Sequence, residues 1–156
     1  MGLINKKKSL FQPEDENLSE KGDWRQFNLF LRGVKIEENC KRAPATCKII
    51  DQIPPAKTNK RGQVKFSIMS PNAHIFAHTG PTNCRLRAHL GLKIPTGPRI
   101  RVANETKKWI EGKLIIFDDS FDHEVWNDGK EFRLVLIVDL WHPDLKDSTK
   151  KQLGPI

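Results

Sequence analysis

Residues 85–92 read Arg85-Leu86-Arg87-Ala88-His89-Leu90-Gly91-Leu92. Apolar and polar side chains alternate strictly, which is the period of a β-strand whose two faces meet different surroundings. Leu86, Ala88, Leu90 and Leu92 share one face; Arg85, Arg87 and His89 share the other. The same period sets Val64, Phe66 and Ile68 against Lys65, Ser67 and Met69. It also sets Leu134, Leu136, Val138 and Leu140 against Arg133, Val135, Ile137 and Asp139. Trp24 to Leu31 alternates more loosely and stops at Gly33, while Lys113 to Phe117 reads as a strand covered on both sides. Turn formers separate these runs: Pro71-Asn72, Thr79-Gly80-Pro81, Pro95-Thr96-Gly97-Pro98 and Asn127-Asp128-Gly129. A short helix is expected within Glu37–Ile53, ended by Pro54 and Pro55. Many short strands with regular turns and little helix predict an all-β fold, a sandwich or double-sheet jelly roll (double-stranded β-helix).

Length and charge bound the rest. The chain has 156 residues, one domain's worth. Residues 1–20 are polar and read as an arm, leaving 21–156 as the folded domain. With 37% apolar and 29% charged residues, a globular domain is expected rather than a disordered one. No apolar run reaches the roughly 18 residues of a bilayer span, and the start MGLINKKKSLFQPEDEN has no apolar signal core. The formal charge is +8 but dispersed. Lys6, Lys7 and Lys8, like Lys146, Lys150 and Lys151, read as solvated tails. No basic stripe interleaved with aromatics marks a nucleic-acid surface. Cys40 and Cys47 bracket a short polar loop and read equally as a disulfide or as free thiols; Cys84 reads as a buried thiol.

The polar faces carry the candidate chemistry. In a plain sandwich, Arg85, Arg87 and His89 face solvent; in a strand curved around a pocket, they face an anionic ligand. Arginine forks bind carboxylates bidentately and keep their charge when desolvated. Arg133, set among apolar residues, needs an anion or a carboxylate partner, and Asp139 is a candidate for that partner. His78 and His123 sit at strand ends in turn-rich sequence, and neutral imidazole is a common ligand of iron and zinc. Two histidines for a metal with separated arginines for a dicarboxylate are the parts of a 2-oxoglutarate-dependent iron oxygenase. The usual His-X-Asp or His-X-Glu pattern here reads His78-Thr79-Gly80, without a carboxylate. A zinc hydrolase using the same two histidines is a rival from another class.

Three stretches are more specific: KFSIMSPNAHIFAHTGPTNCRLRAHLGLKIP, RVANETKKWIEGKLIIFDDSFDHEVWND and FRLVLIVDLWHPDL. With them the chain resembles the catalytic domain of the aspartyl/asparaginyl β-hydroxylases, from Trp24 to the carboxyl end. The resemblance implies iron(II) held by His78 and His123 alone, with Gly80 at the position where related enzymes keep a carboxylate. It implies Ser67 and Arg133 at the distal carboxylate of 2-oxoglutarate, Arg87 and His89 at its metal-binding end, and Trp24 and Met69 lining the pocket. Arg85 would meet the substrate carboxylate.

The implied activity is hydroxylation of the β-carbon of Asp or Asn in protein substrates such as epidermal-growth-factor-like (EGF-like) domains, consuming 2-oxoglutarate and O₂. A catalytically inactive binding module of the same fold is the alternative. The resemblance also implies a Cys40–Cys47 disulfide and the lumen of the endoplasmic reticulum. Membrane association would come only through an amino-terminal anchor in a longer form. Asn104-Glu105-Thr106 is an N-glycosylation acceptor pattern.

Overall fold

A computed structural model describes residues 10–14 and 18–156; the expected Lys6–Lys8 tail lies outside them. The amino-terminal strands are β1 (Gln12–Pro13), β2 (Ser19–Lys21), β3 (Trp24–Leu31) and β4 (Val34–Lys35). Three short helices follow: α1 (Glu37–Cys40), α2 (Pro44–Ile50) and α3 (Pro54–Lys57). Then come β5 (Gln63–Met69), β6 (Ala73–His78), β7 (Arg85–Lys93), β8 (Pro98–Val102), β9 (Glu105–Lys107), β10 (Leu114–Phe117), β11 (His123–Asn127) and β12 (Arg133–Trp141). Helix α4 (Asp147–Gln152) closes the sequence of elements. The larger sheet runs β1-β3-β5-β12-β7-β10 with β4 on β3; the smaller runs β2-β6-β11-β8-β9. This is the expected jelly roll. No described helix is long and apolar enough to cross a membrane.

Two cores flank the larger sheet. Between the sheets, Met69, Val135 and Ile137 pack with Ile75, Ile100 and Val125 from the smaller sheet and with Trp109. On the outer side, Phe27, Leu29, Phe30, Val64 and Leu136 pack under Cys40, Cys47, Ile50 and Ala56 of the helices. Leu90, Val138 and Leu140 join this outer core. Leu90 of β7 therefore packs in the outer core while Leu92 on the same face is exposed, and Arg87 and His89 of the opposite face line the interior. The loose alternation of β3 has a cause too: a bulge between Asn28 and Phe30 puts Leu29 and Phe30 in the same core.

Several expectations are corrected. The expected single helix within Glu37–Ile53 is two, α1 and α2, the second ending at Ile50, and Pro54 opens α3 because its missing N–H is no loss at the first helical position. Strand β10 is not covered on both sides: it is a sheet edge, and Leu114 and Ile116 are exposed. Part of the expected arm belongs to the sheet, since β1 pairs with β3 and Glu14 is buried 2.7 Å from Lys65 Nζ. Asp139 does not serve Arg133. The two share a face of β12 six residues apart, ~20 Å along a strand; Asp139 accepts from Arg87 instead. Cys40 and Cys47 form a disulfide inside the outer core, whereas Cys84 is a free, half-buried thiol.

Candidate active site

The inward faces of both sheets converge on one pocket. Trp24, Ser67, Arg87, His89 and Arg133 line it from the larger sheet, and His78 and His123 from the smaller. Ile75, Ile100, Phe117, Val125 and Ile137 complete apolar walls. The structure thus brings together seven of the nine residues singled out from the sequence. Met69 is fully buried in the inner core without reaching the pocket wall. Arg85 lines a neighbouring cavity of about 260 Å³ with Glu14, Gln26 and Arg61.

His78 and His123 are paired across β6 and β11, with ring centroids 4.2 Å apart. Each Nδ1–H donates to a backbone carbonyl two residues earlier, Phe76 at 2.6 Å and Phe121 at 2.8 Å. A carbonyl oxygen only accepts, so this fixes the proton on Nδ1 and leaves a lone pair on each Nε2. Ligating histidines are oriented in this way, by a hydrogen bond at the other ring nitrogen. Burial holds His123 below its ordinary pKa, which keeps that lone pair available. Among the described residues, no third His, Cys, Asp or Glu completes a metal cluster with them.

Gly80 explains why none comes from its position. A Cβ there would lie 2.7 Å from the Asp119 carboxyl carbon, closer than real Cβ contacts come. The Gly80 N–H also donates to the Asp119 carbonyl at 2.6 Å. Asp119 itself is fully buried, and its carboxylate accepts from Arg85 Nη2 at 2.7 Å.

The opposite wall is cationic, and its charges are unequally matched. Arg87 is clamped by Asp139 through Nε at 2.7 Å and Nη2 at 2.9 Å. Burial alone would raise Asp139, but Arg87 and then Arg85 hold it below the usual carboxylate range. Arg133 is different. It is buried, its Nη2 donates to Ser67 Oγ at 3.1 Å, and its Nε has no partner among the described residues. Burial lowers its pKa to about 10. Ser67 Oγ also accepts from Trp24 Nε1 at 3.0 Å, so both lone pairs are used and its O–H remains to be donated. His89 has neither ring nitrogen paired, and burial with Arg133 nearby holds it well below its ordinary pKa, hence neutral. An unpaired buried guanidinium beside a free hydroxyl proton is a site for a carboxylate.

Residues 1–143 match the family model of aspartyl/asparaginyl β-hydroxylase. The chain belongs to the aspartyl/asparaginyl β-hydroxylase family. The aspartyl/asparaginyl β-hydroxylase of Homo sapiens is 55% identical over 157 residues, covering the whole chain but 21% of that protein. The ornithine lipid ester-linked acyl 2-hydroxylase of Rhizobium tropici is 43% identical over 123 residues, 77% of this chain and 42% of that one. The chain thus spans about a fifth of the human β-hydroxylase. A solved structure of a predicted oxalate decarboxylase from Thermotoga maritima superposes with TM-score 0.54 at 14% identity, over 85% of this chain and 94% of that one, which establishes a shared fold.

Three further residues of this family member stand at or beside the pocket without a sequence motif of their own. Trp109 reads from sequence as a packing anchor, yet its ring lies 4.9 Å from the Arg133 guanidinium and near-parallel to His89 at 5.9 Å. Its buried Nε1–H is unpartnered. Asp119 and Lys65 gave no motif because each is read only through a partner distant in sequence, Arg85 and Glu14. The acidic run Asp118-Asp119 beside the His123 segment was the one available signal for Asp119.

Proposed function

We propose that this domain is an iron(II)- and 2-oxoglutarate-dependent dioxygenase that hydroxylates the β-carbon of Asp or Asn in a protein substrate, with EGF-like domains as the substrate class. The observation that carries this is Arg133, a buried cation with no carboxylate of its own, facing two histidines with free Nε2 lone pairs. The residues fit the groups this chemistry needs. His78 and His123 would hold iron(II), and Gly80, closed off by Asp119, explains a metal site with no protein carboxylate. Bound together, iron(II), 2-oxoglutarate and O₂ supply the oxidising power, with succinate and CO₂ as co-products.

The chain's own groups do the positioning. Arg133 and the Ser67 O–H receive the distal carboxylate, while Trp24 orients Ser67. Arg87, held in plane by Asp139, sets its positive charge beside the metal-binding end of the cosubstrate. Neutral His89 lines that end without adding charge. Ile75, Ile100, Phe117, Val125 and Ile137 keep water from the reacting carbon. Arg85, on the wall of the adjoining cavity, is the contact proposed for the substrate carboxylate; its fork has N–H donors beyond those given to Asp119 and the Arg61 carbonyl. The disulfide supports an oxidising compartment, which we assign as the lumen of the endoplasmic reticulum.

The test is mass spectrometry of a disulfide-bonded EGF-like peptide after incubation with iron(II), 2-oxoglutarate and air. The expected result is the gain of one oxygen on Asp or Asn, lost in H78A and R133M. Turnover that persists without 2-oxoglutarate, or in H78A, overturns the reading.

A further inference from the structure

The segment Asn59–Gln63, which joins α3 to β5, carries no motif read from the sequence. Its backbone is nonetheless tied down group by group. Buried Asn59 accepts the Arg61 N–H at its Oδ1, 3.0 Å, and the Gly62 N–H at its carbonyl, 3.2 Å. The first is the bond by which an asparagine closes a turn on its own chain. The Gly62 carbonyl accepts from the Arg32 N–H at 2.9 Å. Two further groups reach the arginines of the active-site wall. The Arg61 carbonyl accepts from Arg85 Nη1 at 2.6 Å, and the Gln63 N–H donates to Asp139 Oδ2 at 3.0 Å. Gly62 lets the turn come this close: a Cβ there would lie 2.6 Å from Asp139 Cβ and 2.7 Å from Asn59 Nδ2. Asn59 Nδ2 has no partner among the described residues, so this buried amide costs stability at one end while its other end closes the turn.

The charges the turn reaches form one lattice. Arg85 pairs with Asp119 at 2.7 Å, and Arg87 with Asp139 at 2.7 Å. Each guanidinium also stands near the other acid, Arg85 3.5 Å from Asp139 and Arg87 3.6 Å from Asp119. Both carboxylates are fully buried, so the four charges interact strongly and tolerate little displacement. We propose that the Asn59–Gln63 turn is the positioning element of this site. It sets Arg85 through the Arg61 carbonyl and Arg87 through Asp139, and so fixes the spacing between the substrate contact and the cosubstrate contact. The role of each arginine rests on the function proposed above; the hold of the turn on them rests on the hydrogen bonds alone. A guanidinium carries its N–H groups in one plane. Anchored at a carbonyl on one side and a carboxylate on the other, it keeps one orientation for the donors that remain. Asn59 lines neither cavity and acts only through the turn.

The experiment compares the full chain with N59A, which removes the acceptor for the Arg61 N–H, and with N59S, whose hydroxyl can take its place. Side-chain NMR of the metal-free, arginine-labelled chain reads how freely each guanidinium rotates. Calorimetry of the iron(II)-loaded chain without O₂ reads the affinity for a disulfide-bonded EGF-like peptide and, separately, for 2-oxoglutarate. Each variant is measured at a temperature where it is folded. The expected result is slow rotation of Arg85 and Arg87 in the parent, about ten-fold faster rotation of both in N59A, and no change at Arg133. Peptide affinity should fall about ten-fold and 2-oxoglutarate affinity about three-fold, since Arg133 and Ser67 hold the far carboxylate independently of the turn. N59S should recover most of both losses. G62A, which pushes a methyl group against Asp139, applies the same test to Arg87 should N59A fail to fold. Rotation in N59A or G62A as slow as in the parent overturns the proposal. Faster rotation with peptide affinity unchanged overturns it too, because the turn is then a purely structural feature. A parent chain that binds no EGF-like peptide overturns the assigned substrate instead, and the rotation rates still decide whether the turn holds the arginines.

Discussion

Arg133 shows how one residue can be a defect in one state and the basis of function in another. Its guanidinium is buried, and its Nε has no acceptor. Removing such a charge relieves a desolvation cost in the ligand-free protein. R133M should therefore raise the melting temperature by about 2–4 °C, roughly 1 kcal/mol for a domain of this size. The same variant should lose 2-oxoglutarate binding, read by calorimetry. Trp109 makes a complementary case. Its ring backs both Arg133 and His89. W109A should raise KM for 2-oxoglutarate about ten-fold with a smaller change in kcat, and W109F should recover most of the loss. At this scale the sequence was readable where alternation exposes a polar face, as at Ser67, Arg87 and His89. It was unreadable where a role depends on a contact across the fold. Arg133 reads as needing an anion or a carboxylate partner, with Asp139 a candidate, and only the fold removes Asp139 by separating the two along β12 and giving its carboxylate to Arg87.

Among elements, the strands were legible because period two is a strong local signal: β3 begins and ends as read, and β12 keeps its two faces. What period two cannot say is which face looks inward. Both faces of β7 and β12 are buried to a large extent, one under helices and one around the pocket. One helix was expected within Glu37–Ile53, where α1 and α2 stand, and α3 was missed because Pro54 marks a boundary without saying that a new turn begins there. Helices α1 and α2 are joined by the disulfide in the outer core, on the far side of the sheet from the pocket. Opening it with C40S/C47S should cost about 2–3 kcal/mol in the loop-entropy account, seen as a lower urea midpoint. The affinity for 2-oxoglutarate should stay within about two-fold of the parent under conditions where the variant is folded.

For the molecule as a whole, acid is the expected stress. His89 is a base whose folded pKa lies well below its ordinary 6.5. Its contribution is fully present above pH 6.5 and declines as pH falls below that value, because the unfolded chain takes up the proton first. Burial gives His123 the same sign. Asp139 is an acid with a depressed pKa, so its contribution holds above its ordinary 3.8 and is lost as pH falls through the lower folded value. Urea unfolding between pH 8 and 4 should show stability dropping below pH 6.5, approaching about 1.4 kcal/mol per pH unit for each histidine fully engaged. H89L should flatten that first decline. Fold class and most of the pocket were legible at this scale because the strands and the matched stretches cover most of the chain. The place of residues 10–14 was not, because a polar segment gives no periodic signal that it will lie along a sheet edge.

The larger sheet acts as a partition, with solvent-shielded oil on one side and a charged chamber on the other. Its strands are one residue thick, so neighbouring positions along β7 serve opposite rooms: Arg87 and His89 look into the chamber, and Leu90 away from it. A single-residue insertion or deletion within β7 would turn the partition inside out, delivering leucines to the pocket and guanidinium groups to the helices. A change of length in a connecting loop leaves these two faces in place, whereas the spacing from Arg85 to Leu92 has no slack.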